Sequence, residues 1–152
     1  MIPRSSNRSL DILLVEDSPG DVRLTREALS STRVENTLHA VGDGEAAIAF
    51  LRQEAGYGEA PRPDLILLDL NLPRKSGHEV LSEIKAEDAL KSIPVIILTT
   101  SDQQGDIDKS YANHANSYIT KPMDMGSFRE VVSRIDEFWF ETGRLPTKRT
   151  DS

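Results

Sequence analysis

The residue with the most chemical potential in this chain is Asp69, because Leu65, Ile66, Leu67 and Leu68 form an uninterrupted apolar run that stops at its carboxylate. Such a run predicts a strand buried on both faces, and open α/β sheets gather their chemistry at the C-terminal ends of such strands. The pattern recurs: Ile12 to Val15 ends at Glu16 and Asp17, Val95 to Leu98 ends at Thr99, and Tyr118 and Ile119 lead through Thr120 to Lys121 and Pro122. If these strands are parallel, three carboxylates, a hydroxyl and an ammonium meet at one rim. Crowded carboxylates repel one another, and a hard divalent cation with oxygen ligands relieves the repulsion. Mg²⁺ combines one or two carboxylates with waters and a phosphate, which suits a set too small for a full protein cage. In such a site Asp69 is an oxygen nucleophile able to carry a phosphoryl group. Asp17 and Asp69 would bind the metal directly, the Asn71 backbone carbonyl would be a third ligand, and Glu16 would act through a water. Thr99 and Lys121 would face the phosphoryl oxygens. Lys121 is expected to contribute charge and little buried area, so that its loss spares the fold.

Five strands and five helices must alternate to build that rim. Ser18 reads as an N-cap with Pro19 at the first helical position and Asp21 in the first turn, opening a helix with Val22, Leu24, Ala28 and Leu29 on its apolar face. Thr37 to Val41 is a weaker strand, followed by a helix from about Glu45 to Glu54 that buries Ala46, Ile48, Ala49, Phe50 and Leu51. The Gly- and Pro-containing stretch from Ala55 to Pro63 predicts a surface loop. Ser76 with Glu79 forms a capping box for a helix carrying Val80, Leu81 and Ile84. Asp102 is expected to cap a weakly apolar helix to about Asn113 whose contacts are Ile107, Tyr111 and Ala112. The last helix, from about Met125 to Thr142, carries Phe128, Val131, Val132, Ile135, Phe138 and Trp139 at helical spacing and stops before Pro146. Short connections between alternating elements call for a doubly wound parallel sheet.

Composition narrows the chemistry further. The chain's 152 residues, 38% apolar and 28% charged, suit one domain, expected over residues 10–142, with loose tails at 1–9 and 143–152. Cysteine is absent, which excludes disulfides and thiolate metal sites, and His39, His78 and His114 lack zinc spacing. A net charge of −7 argues against nonspecific nucleic-acid binding. With neither a signal peptide nor a long apolar span in the sequence, the expectation is a cytoplasmic protein without membrane contact.

Four motifs carry a family resemblance: Val15-Glu16-Asp17-Ser18, Leu68-Asp69-Leu70-Asn71-Leu72-Pro73, Leu98-Thr99-Thr100 and Tyr118-Ile119-Thr120-Lys121-Pro122. In this order they resemble the response-regulator receiver domain of two-component signalling, over nearly all of residues 10–142. The resemblance implies a flavodoxin-like fold with strand order 2-1-3-4-5. It implies that Asp69 is the phosphoacceptor for a sensor histidine kinase, that Thr99 and Tyr118 are a switch pair reshaping a protein-interaction surface, and that the Lys121–Pro122 peptide is cis. No enzyme activity beyond self-phosphorylation and autodephosphorylation is expected. Glu16 departs from the commoner Asp, and Asn113-His114-Ala115-Asn116 stands where many receivers have an Ala-Gly pair; His114 reads as a turn residue.

No output domain is evident after Trp139, so a stand-alone receiver is expected. Phe138, Trp139 and Phe140 are three consecutive aromatics that cannot all face the sheet, which predicts an interface. This ending, with the long Ala55 to Pro63 loop, is similar to the single-domain regulators that partner bacterial phytochrome kinases, and implies a homodimer. Two other functions stand as alternatives. An aspartate-nucleophile phosphatase wants a second Asp where Asn71 stands. A phosphorylation-independent interaction module would not be expected to keep every ligand.

Overall fold

The computed structural model describes residues 9–30, 35–121 and Ser133. Five strands form one parallel sheet: β1 (Leu10–Val15), β2 (Asn36–Val41), β3 (Leu65–Leu68), β4 (Val95–Thr99) and β5 (Ser117–Thr120), in the order β2-β1-β3-β4-β5. Four helices lie among the described residues: α1 (Pro19–Leu29), α2 (Gly44–Arg52), α3 (Gly77–Ala86) and α4 (Gln104–Ala112). The fifth expected helix, with Phe138, Trp139 and Phe140, lies outside them apart from Ser133, as do Pro122 and the expected tails apart from Ser9. No described helix is long and apolar enough to cross a membrane.

Alternation along the central strands divides the core in two. Leu13, Val15, Ile66, Leu68, Val95 and Ile97 face one side, where α2 and α3 bury Ala47, Ile48, Phe50, Leu51, Val80, Leu81 and Ile84. Leu10, Ile12, Leu14, Leu65, Leu67, Ile96 and Leu98 face the other, where α1 supplies Ala28 and Leu29. Strands covered on both faces have no polar side to mark, which is why β1, β3 and β4 read as continuous apolar runs. β2 and β5 are the sheet's edges and are only half-buried, which accounts for their weaker patterns.

Helix starts follow their local chemistry. The Ser18 side chain accepts from the Asp21 amide ahead of Pro19, and Ser76 and Glu79 form both halves of the capping box. α4 departs from expectation. Gln103, not Asp102, occupies its N-cap position and makes no side-chain cap. The serine that precedes them, Ser101, instead donates its hydroxyl to Asp106 in the first turn. Ser110 is the buried residue of this helix, whereas Tyr111 and Ala112 are exposed and Ile107 is half-buried. In α2 the fully buried alanine is Ala47, while Ala46 and Ala49 are half-buried. His114 is exposed at φ 69°, in the left-handed region, closing the turn before β5.

Candidate functional site

The register of the central strands places the acidic residues together. Val15 pairs with Leu68, so Glu16 and Asp69 leave the sheet side by side. The Asp69 amide donates to the Val15 carbonyl at 3.1 Å and the Glu16 amide to the Val41 carbonyl at 3.0 Å, extending the ladders by one residue. The chain then departs to α1 on one face and to α3 on the other, which opens the crevice where such sheets bind ligands. The Asn71 amide donates to Asp69 Oδ1 at 3.2 Å and the Ser18 amide to Glu16 Oε2 at 3.1 Å, aiming both carboxylates. Gly77 opens α3 directly against this turn: a Cβ there would stand 2.2 Å from the Asp69 carbonyl oxygen. β4 ends at the wholly buried Thr99, and the Lys121 amide, just past β5, donates to the Thr99 carbonyl.

Glu16, Asp17 and Asp69 each offer an oxygen within 4.8 Å of the others. Glu16 and Asp69 are buried at 4% and 5% exposure, whereas Asp17 is exposed. Lys121 is the counter-charge. Its Nζ donates to Glu16 Oε1 at 2.6 Å, Asp21 Oδ2 at 2.8 Å and Asp69 Oδ2 at 3.4 Å, from a side chain 7% exposed. Burial pushes the Glu16 carboxyl up, the Asp69 charge adds to the effect, and the bond to Lys121 only partly offsets it. Burial by itself lowers the proton affinity of Lys121, yet its bonds to Asp21 and Glu16 and the charge of Asp69 raise it by more, so it stays an ammonium. The donor set is all oxygen, dense in negative charge and open on the Asp17 side, which fits a hard divalent cation that keeps waters.

The two switch candidates meet at Ser101. Its amide donates to Thr99 Oγ1 at 3.4 Å and its carbonyl accepts the Tyr118 hydroxyl at 2.7 Å. The Tyr118 ring is half-buried and already packs against the larger core cluster. Burial raises the Tyr118 phenol above its ordinary value, and the bond to Ser101 only partly opposes this.

The structure thus gathers Glu16, Asp17, Asp69, Asn71, Thr99, Tyr118 and Lys121 at one rim. Two groups escaped the sequence reading. The sequence places Asp21 in the first turn of α1 without a role at the site, although that turn starts at the rim, which is the signal that points to it. Asp106, which accepts from Ser101 Oγ at 2.5 Å and pairs with His78 Nε2 at 3.0 Å, joins three segments with no local pattern to announce it.

A family model described as the response regulator receiver domain matches residues 12–133. Response regulator Rcp1 of Synechocystis sp. is 49% identical over 141 residues, covering 93% of this chain and 96% of that protein. The phosphorylated cyanobacterial phytochrome response regulator RcpA superposes with a TM-score of 0.84 at 50% identity, covering 91% of this chain and 99% of that one. The Mn²⁺-bound form of Rcp1 superposes at 0.82 with 49% identity, covering 90% and 99%.

Proposed function

Since the chain belongs to the response regulator receiver domain family of two-component signalling, we propose that Asp69 is its phosphoacceptor and that Mg²⁺ is its cofactor. Asp17 and Asp69 would hold the cation with the Asn71 backbone carbonyl, and Glu16 would act through a water. Bound there, the cation would draw charge from the phosphoryl oxygens. An Asp69 carboxylate oxygen attacks the phosphorus of a phosphohistidine on a sensor kinase; the P–O bond forms, the P–N bond breaks with its electron pair going to the ring nitrogen, and the imidazole leaves neutral because its other nitrogen already carries a proton. The Thr99 hydroxyl and the Lys121 ammonium each receive a phosphoryl oxygen. Thr99 and Tyr118 then convert the new charge into a changed surface around α4 and β5. Apart from forming and losing its own phosphoryl group, the protein turns over no substrate.

The observation that carries this reading is the Lys121 ammonium gathered onto Glu16 and Asp69 within one carboxylate cluster at the ends of β1 and β3. The metal of the Rcp1 structure and the phosphorylation of RcpA support it. The kinase is of phytochrome type, by likeness to RcpA, and the protein works in the cytoplasm as a receiver over residues 10–142, without contact to nucleic acid or membrane. The Lys121–Pro122 peptide is cis, and Phe138, Trp139 and Phe140 join two copies in a homodimer. Incubating the protein with a phosphorylated kinase tests the central step: label should appear only with Mg²⁺ and vanish in Asp69→Asn. Label surviving that substitution, or forming fully in chelator, overturns it. Sedimentation of wild type against Trp139→Ala tests the dimer, and a monomer at tens of micromolar overturns that part.

A further inference from the structure

Of the three carboxylates around Lys121, two belong to the candidate cation cluster and one does not. Glu16 and Asp69 serve both the ammonium and the cluster, whereas Asp21 stands outside it on the first turn of α1. Asp21 is fixed independently of Lys121. Its amide donates to Ser18 Oγ at 3.3 Å and its carbonyl accepts from Thr25 Oγ1 at 2.8 Å, both backbone contacts of the helix start. Its side chain is 33% exposed, so it reaches into the crevice from the rim, while the Lys121 side chain it meets is 7% exposed.

This arrangement bears on how an ammonium and a divalent cation can share one small site. A cation held among Glu16, Asp17 and Asp69 repels the ammonium and draws on the carboxylate oxygens that Lys121 uses. Asp21 is the partner this competition leaves to Lys121. Resting on the assignment of Asp69 and its cation above, we propose that Asp21 is a positioning residue: it holds Lys121 beside the site while the cation is bound, so that the ammonium neither displaces the cation nor swings away from the phosphoryl group. Asp21 itself touches neither.

A double-mutant cycle on the full chain tests this, using Asp21→Asn, Lys121→Gln and the pair, with Mg²⁺ binding by calorimetry and labelling of Asp69 by a small phosphodonor at saturating Mg²⁺. Asp21→Asn keeps both backbone bonds of the helix start, and circular dichroism of each variant checks the fold. In the wild-type background Asp21→Asn should weaken Mg²⁺ binding about tenfold and slow labelling by a similar factor, within the range for coupled neighbours. In the Lys121→Gln background the same change should alter neither by more than about twofold. Asp21→Glu, which keeps the charge, should recover part of both losses. Equal losses in the two backgrounds would show Asp21 acting as a plain negative charge, and no loss in either would show it idle at the site; both results overturn the proposal. A wild type that fails to bind Mg²⁺ or to label at Asp69 removes the functional assignment first, and this inference with it.

Discussion

Tyr118 donates its hydroxyl to the carbonyl of Ser101 at 2.7 Å, which ties the last described strand to the loop after β4. Ser101 is a junction: its amide reaches Thr99 Oγ1, and its hydroxyl reaches Asp106 Oδ2, whose other oxygen pairs with His78 of α3. The switch pair is therefore joined to α3 and α4 through one small side chain. Ser101→Ala preserves the backbone contacts to Thr99 and Tyr118 and severs the link to Asp106. A hydrogen bond to a charged group contributes about 1.5–3 kcal/mol when well shielded, and less here because Asp106 is partly exposed. We expect α4 amides to exchange severalfold faster in Ser101→Ala, with β1 and β3 unchanged. Equal exchange in α4 would mean that the helix is held by other contacts.

The same carboxylate gives a pH dependence. Bonds from Ser101 and then His78 hold Asp106 below its ordinary value of 3.8. A carboxyl depressed in the fold contributes stability that is complete above its unfolded value and is lost as pH falls through the lower folded value. The stability owed to Asp106 should thus be constant above about pH 4 and decline below it. Asp106→Asn should lower stability at neutral pH while flattening that part of the acid limb. Urea melts from pH 2 to 7 check this, and parallel curves for the two proteins would contradict it.

How far the sequence revealed all this depended on the range of the interactions. β1, β3 and β4 were legible because both faces of each are buried, and Glu16, Asp17, Asp69 and Thr99 were legible because each ends such a run. The caps of α1 and α3 were legible because Ser18 and Ser76 act within three residues. Lys121 bonds to Asp21 across 100 residues and His78 pairs with Asp106 across 28, distances over which no periodicity operates. Asp102 looked like a cap because its type is right, but the Ser101 hydroxyl turned to Asp106 and the helix began one residue later without a side-chain cap. The thin apolar face of α4 leaves no phase to read, and the contacts expected of Tyr111 and Ala112 fall on exposed positions.

Gly77 has a steric task at the site. A Cβ there would lie 2.2 Å from the Asp69 carbonyl oxygen and 2.5 Å from Leu70 Cα, both backbone atoms without room to yield. Gly77→Ala should destabilise the protein by about 1–3 kcal/mol, as overpacking does, and should slow labelling further by shifting the Asp69 turn. Gly20 is the comparison. Its nearest such neighbour is Ser18 Oγ at 4.0 Å, so Gly20→Ala, in the first turn of α1, should be neutral or stabilising by up to about 1 kcal/mol. If thermal melts rank the two alanines the other way, α3 does not seat against Asp69 as described.

The sequence leads to the expectation that Lys121 buries little area and that its loss spares the fold, and its surroundings contradict the first part. It is buried, and its ammonium is the only cation among the described residues bonded to Glu16, Asp21 and Asp69. Removing one member of a buried ion pair leaves an uncompensated charge and typically costs about 3–5 kcal/mol. Glu16 softens that loss, because burial has already raised its proton affinity and it can neutralise itself by binding a proton. We therefore expect Lys121→Ala without metal to lose about 1–3 kcal/mol, below that range. A divalent cation supplies the missing charge to the same carboxylates, so Mg²⁺ should restore stability to Lys121→Ala and raise its melting temperature more than that of wild type. A ligand at 100 times its dissociation constant adds about 2.7 kcal/mol. Asp17→Asn should do the opposite: Asp17 is exposed and contributes little to the core, so the metal-free protein should melt as wild type does, but Mg²⁺ should shift it little. Thermal melts of the three proteins with chelator and with Mg²⁺ decide the matter. A Lys121→Ala protein as stable as wild type in chelator would mean that the carboxylates do not need the ammonium, and an Asp17→Asn protein with the full Mg²⁺ shift would remove Asp17 from the metal site.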